Sequence, residues 1–584
     1  MPVARRSSPA VRPTAPPLSR SRVLRRVGVG VVAGLVAWAV ACNRPDVRPE
    51  VPGGSAGARV TGGSVVIATA AEPTTLFPPL ATSPAEQAVV DQLFERLADV
   101  GDSLNLVGDA GFRPRLARRW TWAADSLSIA FSLEPRARWH DGEPVTARDV
   151  AFSFRVHADP AVRSPVAPRL ANVDSVTAPD SLTAVVWFAR RYPEQFADAV
   201  RHVYVLPAHR LARLRPEAMG RDSFARAPVG SGRFRLDRWT RGARLAITAQ
   251  EEHPRGRPRL DAVAWRFMPD FGAATIALLG GEADFVDALR LETLAQLRGN
   301  RIVRLVPYPS LEYGFLAFNL GASDGSGRPH PLFADRALRR ALTLAVDRER
   351  LVRAVFDTLA QPGVGPLPRA VFPDWRQVSP LPYDPTRARL LLDSLGWTAG
   401  PDGARSRGGV PLAFRILVPT TTAVRERAAS LLEAQLEGVG ARVTVERVDI
   451  GTFVERQRTR RFDTALGGWR VDPSAGGIRQ TWGTPGSRGR GGSNYGAYAS
   501  ATFDAQVDSA LNAADPARSR RQWVRAVQTI LDDAPAIWLF EPTLVAGVHR
   551  RVELPALRPD GWWTALADWW IPAGERIGRD RLGI

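Results

Sequence analysis

The pattern of apolar and polar positions from residue 64 onward alternates between strand-like and helix-like segments. Residues 64–70 form a run rich in Val and Ile behind two glycines, which is typical of a buried strand. Two later segments place apolar residues at every second position: Ile129, Phe131 and Leu133 in one, and Val263, Trp265 and Phe267 in the other. This spacing predicts strands with one buried face.

Three segments carry the signals that begin and end helices. They are Ser83-Pro84 with Glu86 ahead of an apolar stripe from Val89 to Leu97, Asp335 ahead of a stripe that runs to Val346, and Asp384-Pro385 with Gly396 at the far end. The apolar stripes advance by three or four residues, so these helices are expected to bury one face. Because such helices alternate with strands over several hundred residues, we expect an α/β fold.

The first 63 residues are patterned as an export signal and a tether. Several arginines precede the apolar run 27–40, which is too short for a comfortable membrane span. Cys42 follows small residues, where a lipoprotein signal peptide is cut; the alternative is an uncleaved anchor with an incidental cysteine. We therefore predict a signal peptide over 1–41, lipidation of Cys42, a flexible tether over 42–63 and a body outside the cytoplasm, in the periplasm or at the cell surface.

The composition argues against several classes of function. The formal charge is +19, but all 78 basic residues are arginines scattered among acids, so no nucleic-acid role is expected. Without lysine there is no P-loop, Ser/Lys hydrolase or pyridoxal chemistry. The seven histidines are never two or four residues apart, so neither a metal nor another cofactor is expected. A match to an esterase elbow at 53–57 lies in the tether without a strand or helix around it, so no enzyme is predicted.

Four motifs occur in order along the body: WHDGEPVTARDV at 139–150, PVGSGRF at 228–234, FN at 318–319 with the block 333–347, and YDP at 383–385 ahead of the helix that ends at Gly396. The first is a turn that feeds a helix capped by Thr146 with Asp149, so His140 is expected to be a turn residue. In this order and spacing the chain resembles the extracytoplasmic solute-binding proteins of family 5, the dipeptide-, oligopeptide- and nickel-binding group.

This resemblance implies an α/β, two-lobed periplasmic-binding-protein fold with mixed sheets, an extra subdomain and a hinge. It implies lobe I at 64–305 with the subdomain inserted at about 90–228, lobe II at 306–535, and a return to lobe I at 536–584. A ligand would be enclosed between the lobes. The implied function is that a monomer captures di- or oligopeptides for the permease subunits of an ABC importer. The alternatives are a non-peptide solute, such as an oligosaccharide or a metal chelate, and an extracytoplasmic hydrolase.

The resemblance also implies a binding site. The segment GWRVD at 468–472 is similar to the family's G-W-x-x-D, whose aspartate receives the α-amino group of a bound peptide. Asp472 is therefore the first candidate, since a carboxylate suits an ammonium that loses its water in a closed cleft; an Asp-Pro turn is the alternative. The other candidates surround a Gly-rich stretch: Trp469, Trp482 and Tyr495 as aromatic walls, with core packing as the alternative, and Asn494, which resembles a family asparagine.

Overall fold

The computed structural model describes residues 61–420, 422–488 and 492–582, without the side chains of residues 295, 296, 488, 581 and 582. The predicted signal peptide, Cys42, residues 42–60 of the tether and the match at 53–57 lie outside the described residues. The strands are β1 Ser64–Thr69, β2 Ala98–Val100, β3 Phe112–Pro114, β4 Ala117–Trp122, β5 Ser128–Leu133, β6 Val173–Thr177, β7 Thr183–Phe188, β8 Phe234–Thr240, β9 Arg244–Ala249, β10 Ala262–Phe267, β11 Phe285–Val286, β12 Val303–Pro309, β13 Glu312–Phe318, β14 Ala360–Pro362, β15 Thr398–Ala399, β16 Arg405–Arg407, β17 Val410–Pro411, β18 Ala413–Pro419, β19 Arg442–Val448, β20 Thr464–Arg470 and β21 Ala536–His549.

The helices include short and long segments. They are α1 Pro84–Leu93, α2 Ala147–Ala158, α3 Gln195–Val200, α4 Ala208–Leu211, α5 Pro216–Met219, α6 Phe271–Leu279, α7 Leu291–Leu297, α8 Arg336–Leu344, α9 Arg348–Phe356, α10 Pro385–Ser394, α11 Ala423–Glu437, α12 Ile450–Arg458, α13 Ile478–Thr481, α14 Thr484–Arg488, α15 Ala501–Asn512, α16 Pro516–Asp533 and α17 Arg579–Leu582. Among the described residues, no helix combines the length and apolar character that crossing a membrane requires.

Twelve strands form one mixed sheet, in the order β19-β18-β20-β13-β21-β11-β1-β10-β9-β8, with β12 and β14 also paired to β21. β1 lies parallel to β10 and β18 lies parallel to β19, whereas β13 lies antiparallel to β20 and β21. The three strands predicted from apolar spacing are confirmed as β1, β5 and β10. The predicted α/β class with mixed sheets is therefore confirmed.

The long strand β21 runs through both halves of this sheet. Residues 536–540 pair with β13, and residues 543–549 pair with β12. Ser310, which links β12 to β13, donates its hydroxyl hydrogen to the Pro542 carbonyl at 2.6 Å. We call the half with β1 and β8–β12 the first lobe and the half with β13, β14 and β18–β20 the second lobe. The chain passes between the lobes at these two neighbouring places, and the lobe limits predicted at 305 and 535 stay predictions.

A separate antiparallel sheet, in the order β4-β5-β7-β6, lies between β1 and β8 in the sequence. Helix α2 packs on β6 and β7, and Phe196 of α3 contacts Phe131 of β5 with ring centroids 5.9 Å apart. This sheet therefore has helices of its own on it. We call residues 117–204 the subdomain; its predicted limits of about 90–228 stay a prediction.

The helix caps predicted from the sequence are present. The Ser83 hydroxyl accepts the Glu86 N–H at 3.3 Å, and the Glu86 carboxylate accepts the Ser83 N–H at 2.9 Å. Helix α1 ends at Leu93, before the end of its predicted stripe, because Phe94 has an extended backbone. The other predicted caps are Asp335 on α8 and Asp384 on α10, with Gly396 at φ +82° behind α10.

The first two sequence motifs pack directly against each other. The His140 N–H donates to the Gly230 carbonyl at 2.8 Å, and the Gly230 N–H donates to His140 Nδ1 at 3.2 Å. A Cβ at Gly230 would lie 1.8 Å from the Leu93 carbonyl oxygen, so this position accepts only glycine. Burial lowers the pKa of the His140 imidazole to about 4. His140 is thus a neutral turn residue that joins the two motifs.

Candidate functional site

A cleft of about 680 Å³ lies where the two lobes and the subdomain meet. The first lobe lines it with α1 and residues 558–568, the subdomain with residues 165–169 and 201–204, and the second lobe with residues 470–473 at the end of β20. Sites for small ligands have volumes of roughly 300–1,000 Å³. Three parts of the chain therefore enclose one space of the size that a small solute needs.

Charged side chains dominate the cleft walls. Nine arginines and six aspartates line the cleft, and Glu95 lies buried behind it. Seven of the arginines each contact a different carboxylate with N–O distances of 2.5 to 3.3 Å: Arg96 with Asp91, Arg113 with Asp102, Arg115 with Asp99, Arg169 with Asp472, Arg233 with Asp568, Arg255 with Glu95, and Arg558 with Asp560. Most of the wall charge is therefore neutralised pair by pair.

Asp91 of α1 is the centre of a buried hydrogen-bond network on the first-lobe side of the cleft. Its carboxylate accepts the Tyr204 hydroxyl at 2.7 Å, the Trp563 indole N–H at 2.7 Å and an Arg96 N–H at 2.5 Å. Burial raises the pKa of the Tyr204 hydroxyl, so this group stays protonated and donates. Because the Asp91 carboxylate has three donors, this wall of the cleft is well ordered.

Asp472 enters the cleft from the second lobe, directly after β20. Its carboxylate contacts the Arg169 guanidinium of the subdomain at 3.3 Å, and its side chain is 65% exposed. Close by, the Ser474 hydroxyl donates to the Glu194 carboxylate of the subdomain at 2.7 Å, and burial raises the pKa of Glu194. The second lobe therefore meets the subdomain beside Asp472. The contact of Asp472 with a ligand stays a prediction.

The other four predicted site residues line a second, smaller cavity of about 240 Å³ in the second lobe. Trp469 and Tyr495 are half-buried there. Trp482 is buried, and its indole N–H donates to the Tyr313 hydroxyl at 2.9 Å. The ring of Phe315 lies edge-on to Trp482, with centroids 5.3 Å apart. Trp482 is therefore part of the second-lobe core as well as a wall of this cavity.

Asn494 is buried and uses its whole amide within the protein. Its NH₂ group donates to the Trp482, Gly483 and Tyr498 carbonyls at 3.2, 2.9 and 2.8 Å, and its oxygen accepts the Tyr498 N–H at 3.1 Å. These bonds hold the loop that forms one wall of the smaller cavity. The cleft and the smaller cavity share no lining residue: Asp472 lines the cleft, and the other four predicted residues line the smaller cavity.

Sequence reasoning missed most of the cleft. Asp91 lies on helix α1, whose sequence signals are its cap and its apolar stripe, and Trp563 belongs to a segment without any motif. Arg201 lines the cleft next to Tyr204, but in a chain with 78 basic residues one more arginine carries no signal. The segment 165–204 was predicted only as part of an inserted subdomain. These residues come together through tertiary folding, which local spacing does not report.

The family model described as "Bacterial extracellular solute-binding proteins, family 5 Middle" matches residues 111–488 of the 584. The chain therefore belongs to family 5 of the bacterial extracellular solute-binding proteins. The family, the extracytoplasmic class and the two-lobed fold predicted from the four motifs are confirmed.

Two known proteins illustrate the sequence relationship. A Brucella ovis protein whose name describes an ABC transporter peptide-binding protein is 29% identical over 366 residues, which are 62% of this chain and 64% of that protein. The match thus spans less than two thirds of the Brucella protein. The oligopeptide-binding protein AppA of Bacillus subtilis is 24% identical over 554 residues, which are 93% of this chain and 98% of AppA.

Two solved structures share the fold. AppA of Bacillus subtilis in complex with a nonapeptide has a TM-score of 0.67 and 22% identity, covering 88% of this chain and 99% of AppA. NikZ from Campylobacter jejuni in complex with Ni(L-His) has a TM-score of 0.70 and 21% identity, covering 87% of this chain and 99% of NikZ. At these identities the likeness extends to the fold alone.

Proposed function

We propose that this chain is the solute-binding component of an ABC importer and that it captures a short peptide in the cleft. The observation that carries the proposal is the cleft itself, in which both lobes and the subdomain enclose about 680 Å³ around an accessible carboxylate on Asp472. Peptide-binding names among the relatives, and the nonapeptide in the AppA structure, support the peptide as ligand. Binding needs only enclosure and release, with no bond broken.

Asp472 is the proposed partner of the peptide's α-ammonium group. Removing an ammonium from water costs several kcal/mol unless a carboxylate accepts its hydrogen bonds. Asp472 fits this role because its side chain is 65% exposed, at the border between the second lobe and the subdomain. A peptide amine placed there would contact the second lobe, while the rest of the peptide would contact the first lobe and the subdomain.

The proposed place of capture is outside the cytoplasmic membrane, with the chain held by a lipid on Cys42. The lone cysteine behind the apolar run 27–40 supports this anchor. The proposed partners are permease subunits, which receive the peptide from a monomer of this chain when the lobes open. Mass spectrometry of the membrane-extracted protein tests the anchor: a lipid mass on the N-terminal peptide is expected in the wild type and is absent in Cys42→Ser.

Thermal unfolding with a panel of solutes tests the proposed function. A ligand that binds only the folded protein stabilises it and so raises Tm. At a ligand concentration one hundred times Kd, the free energy of unfolding increases by about 2.7 kcal/mol. Di-, tri- and longer peptides, oligosaccharides and nickel chelates are compared at equal concentration. A Tm rise of several degrees is expected with peptides. A rise with a sugar or a chelate and none with any peptide refutes the peptide assignment, and turnover of a substrate refutes a purely binding role.

A further inference from the structure

Glu194 of the subdomain is a carboxylate without an ion pair at the contact with the second lobe. It is half-buried and is the N-cap residue of helix α3. The Ser474 hydroxyl donates to it from the second lobe at 2.7 Å, and among the described residues this is the only hydrogen-bond or ion-pair partner of the Glu194 side chain. The carboxylates of the cleft wall differ, because each contacts an arginine at 2.5 to 3.3 Å. Glu194 is thus poorly compensated where two parts of the molecule meet.

Two further carboxylates lie near Glu194. Asp198 follows it by one turn of α3, and its backbone N–H donates to the Glu194 carbonyl at 3.0 Å. The Tyr192 hydroxyl donates to the Asp198 carboxylate at 2.9 Å. The His202 imidazole lies 3.6 Å from the same carboxylate and is neutral, because burial holds its pKa well below the usual value. The charge of Asp472 acts on Glu194 from the second lobe. Three like charges in one partly buried place disfavour ionisation of each other.

Three arginines border these carboxylates at longer range. Arg169 contacts Asp472 at 3.3 Å, Arg190 donates to an amide oxygen of α15 at 2.5 Å, and Arg201 follows the last residue of α3. Burial raises the pKa of the Glu194 carboxyl, and the charges of Arg169 and Arg201 oppose this shift without reversing it. Burial also raises the pKa of the neighbouring carboxyl of α3 to about 7. The cluster therefore holds protons at a pH where an exposed carboxyl has lost them.

We propose that Glu194 is a proton-binding site at the lobe contact, which takes up a proton when the second lobe closes on the subdomain and so links peptide capture to pH. The inference rests on the proposed function and specifies its regulation. In the open form water reaches the Glu194 carboxyl, whereas closure covers it and brings the charge of Asp472 close. The bond from Ser474 favours the ionised form, but it has a smaller effect than burial. Between the pKa values of the two forms closure binds a proton, so acid favours the closed form.

Calorimetric titration of the purified protein with Ala-Ala-Ala at pH 5, 6 and 7 tests the proton uptake. The peptide keeps both terminal charges over this range, because its amine titrates near about pH 8 and its carboxyl below about pH 4. Repeating each titration in two buffers with different ionisation enthalpies counts the protons taken up for each peptide bound. We expect a net uptake in the wild type. Affinity should rise as the pH falls, by up to about tenfold for each unit by which closure raises the pKa of Glu194.

Glu194→Gln removes the titrating group and keeps an oxygen that accepts the Ser474 hydroxyl. This variant should lose the proton uptake, bind Ala-Ala-Ala equally well at pH 5 and pH 7, and exceed the affinity of the wild type at pH 7. The control is Glu217→Gln, the same change at an exposed glutamate of α5, which should behave like the wild type. An unchanged melting curve without peptide shows that a variant is folded.

Peptide binding without proton uptake in the wild type overturns the proton site and leaves the proposed function standing. An uptake in Glu194→Gln equal to that of the wild type also overturns it, and Asp198→Asn then shows whether the neighbouring carboxyl is responsible.

If no peptide binds the wild type, the proposed function fails, and the proton site is tested by small-angle X-ray scattering of the unliganded protein. The wild type should have a smaller radius of gyration at pH 5 than at pH 7, because acid favours the closed form. Glu194→Gln should have the smaller value at both pH values. Equal radii of the wild type at the two pH values, or the same change in Glu194→Gln, overturn the proton site.

Discussion

At the scale of single residues, the exposed carboxylate of Asp472 is the simplest part of the proposed site to test. Asp472→Ala should abolish the Tm rise with peptide, because the α-ammonium loses its acceptor. The unliganded Tm should change little, because within the described part of the chain Asp472 pairs only with Arg169, in a partly exposed contact worth about 0–1 kcal/mol. Thermal unfolding with and without peptide measures both effects. Undiminished stabilisation by peptide would remove Asp472 from the site.

Arg169 competes with a ligand for that carboxylate. In the described structure its guanidinium contacts Asp472 at 3.3 Å, where the proposal places the peptide amine. Arg169→Gln should therefore raise peptide affinity by up to roughly fivefold, the equivalent of an exposed ion pair. Titration calorimetry measures the change, and Arg155→Gln on α2 serves as a control outside the cleft. Weaker binding by Arg169→Gln would show that the arginine supports the ligand.

The same residues show what a sequence can predict at this scale. Asp472 was predicted because a short motif marks it, and the structure places it at the cleft. Trp469, Trp482 and Tyr495 were predicted as aromatic walls around a Gly-rich stretch, and Asn494 by its resemblance to a family asparagine. These four residues line the smaller cavity, whereas Asp472 lines the cleft. Arg201 could not be predicted as a cleft residue, because only three-dimensional packing brings it to the cleft wall.

At the scale of elements, the packing of α1 against the motif 228–234 depends on glycine. A Cβ on Gly230 would lie 1.8 Å from the Leu93 carbonyl oxygen, and backbone cannot give way there without moving the helix. Gly230→Ala should cost at least about 2–3 kcal/mol of unfolding free energy. Gly574→Ala is the matched control, since nothing lies within 4 Å of its Cβ position, and it should change stability by less than about 0.5 kcal/mol. Urea unfolding of both variants measures the difference; equal stabilities would contradict the close contact.

Helix α2 contains a histidine whose burial makes the protein sensitive to acid. The His157 Nδ1–H donates to the Ser153 carbonyl at 2.8 Å, and burial lowers the pKa of the imidazole from 6.5 to about 4. The unfolded chain therefore binds a proton near pH 6.5 that the folded chain refuses until about pH 4. Stability should fall as the pH falls through this window, by about 3 kcal/mol from this residue.

His157→Leu should flatten the loss of stability between pH 6.5 and pH 4, because the variant has no imidazole to protonate there. Urea unfolding at several pH values measures the slope. His209→Gln is the control, because it changes a surface contact with Asp141 and leaves His157 in place. In this variant, the part of the pH dependence of stability that His157 causes should persist. An unchanged slope in His157→Leu would show that other groups cause the acid sensitivity.

Element types and caps were predictable because their signals are local. Ser83, Asp335 and Asp384 were recognised as caps, and each accepts backbone N–H groups in the structure. The end of α1 was placed too late because the apolar stripe continues past Leu93 in non-helical backbone. The length of β21 and its change of partner were not foreseen, because no short pattern tells which strand pairs with which.

At the scale of the whole molecule, the subdomain contacts the second lobe through a small set of polar pairs, which we call the cross-lobe contacts. They are Arg169 with Asp472, Arg190 with Asn512 at 2.5 Å, and Ser474 with Glu194 at 2.7 Å. The lobes themselves are joined at Ser310 and Pro542, where the sheet changes strand partners. A two-lobed plan followed from the family motifs, whereas the cross-lobe contacts depend on surface residues that no motif includes.

The contacts of Arg190 and Ser474 should slow the release of a bound peptide, because they join the subdomain to the second lobe without using the Asp472 carboxylate. Removing both with Arg190→Ala and Ser474→Ala shifts the equilibrium toward the open form, and peptide held by both sides then leaves sooner. At roughly 0.5–1 kcal/mol for each of the two polar contacts, dissociation should speed up by about five- to thirtyfold. Stopped-flow fluorescence of the cleft tryptophan, Trp563, follows the release.

Arg328→Ala is the control. It breaks an exposed pair with Asp324 elsewhere in the second lobe and should leave the rate of peptide release unchanged. If the double variant releases peptide as slowly as this control, closure is governed by the ligand and the hinge alone.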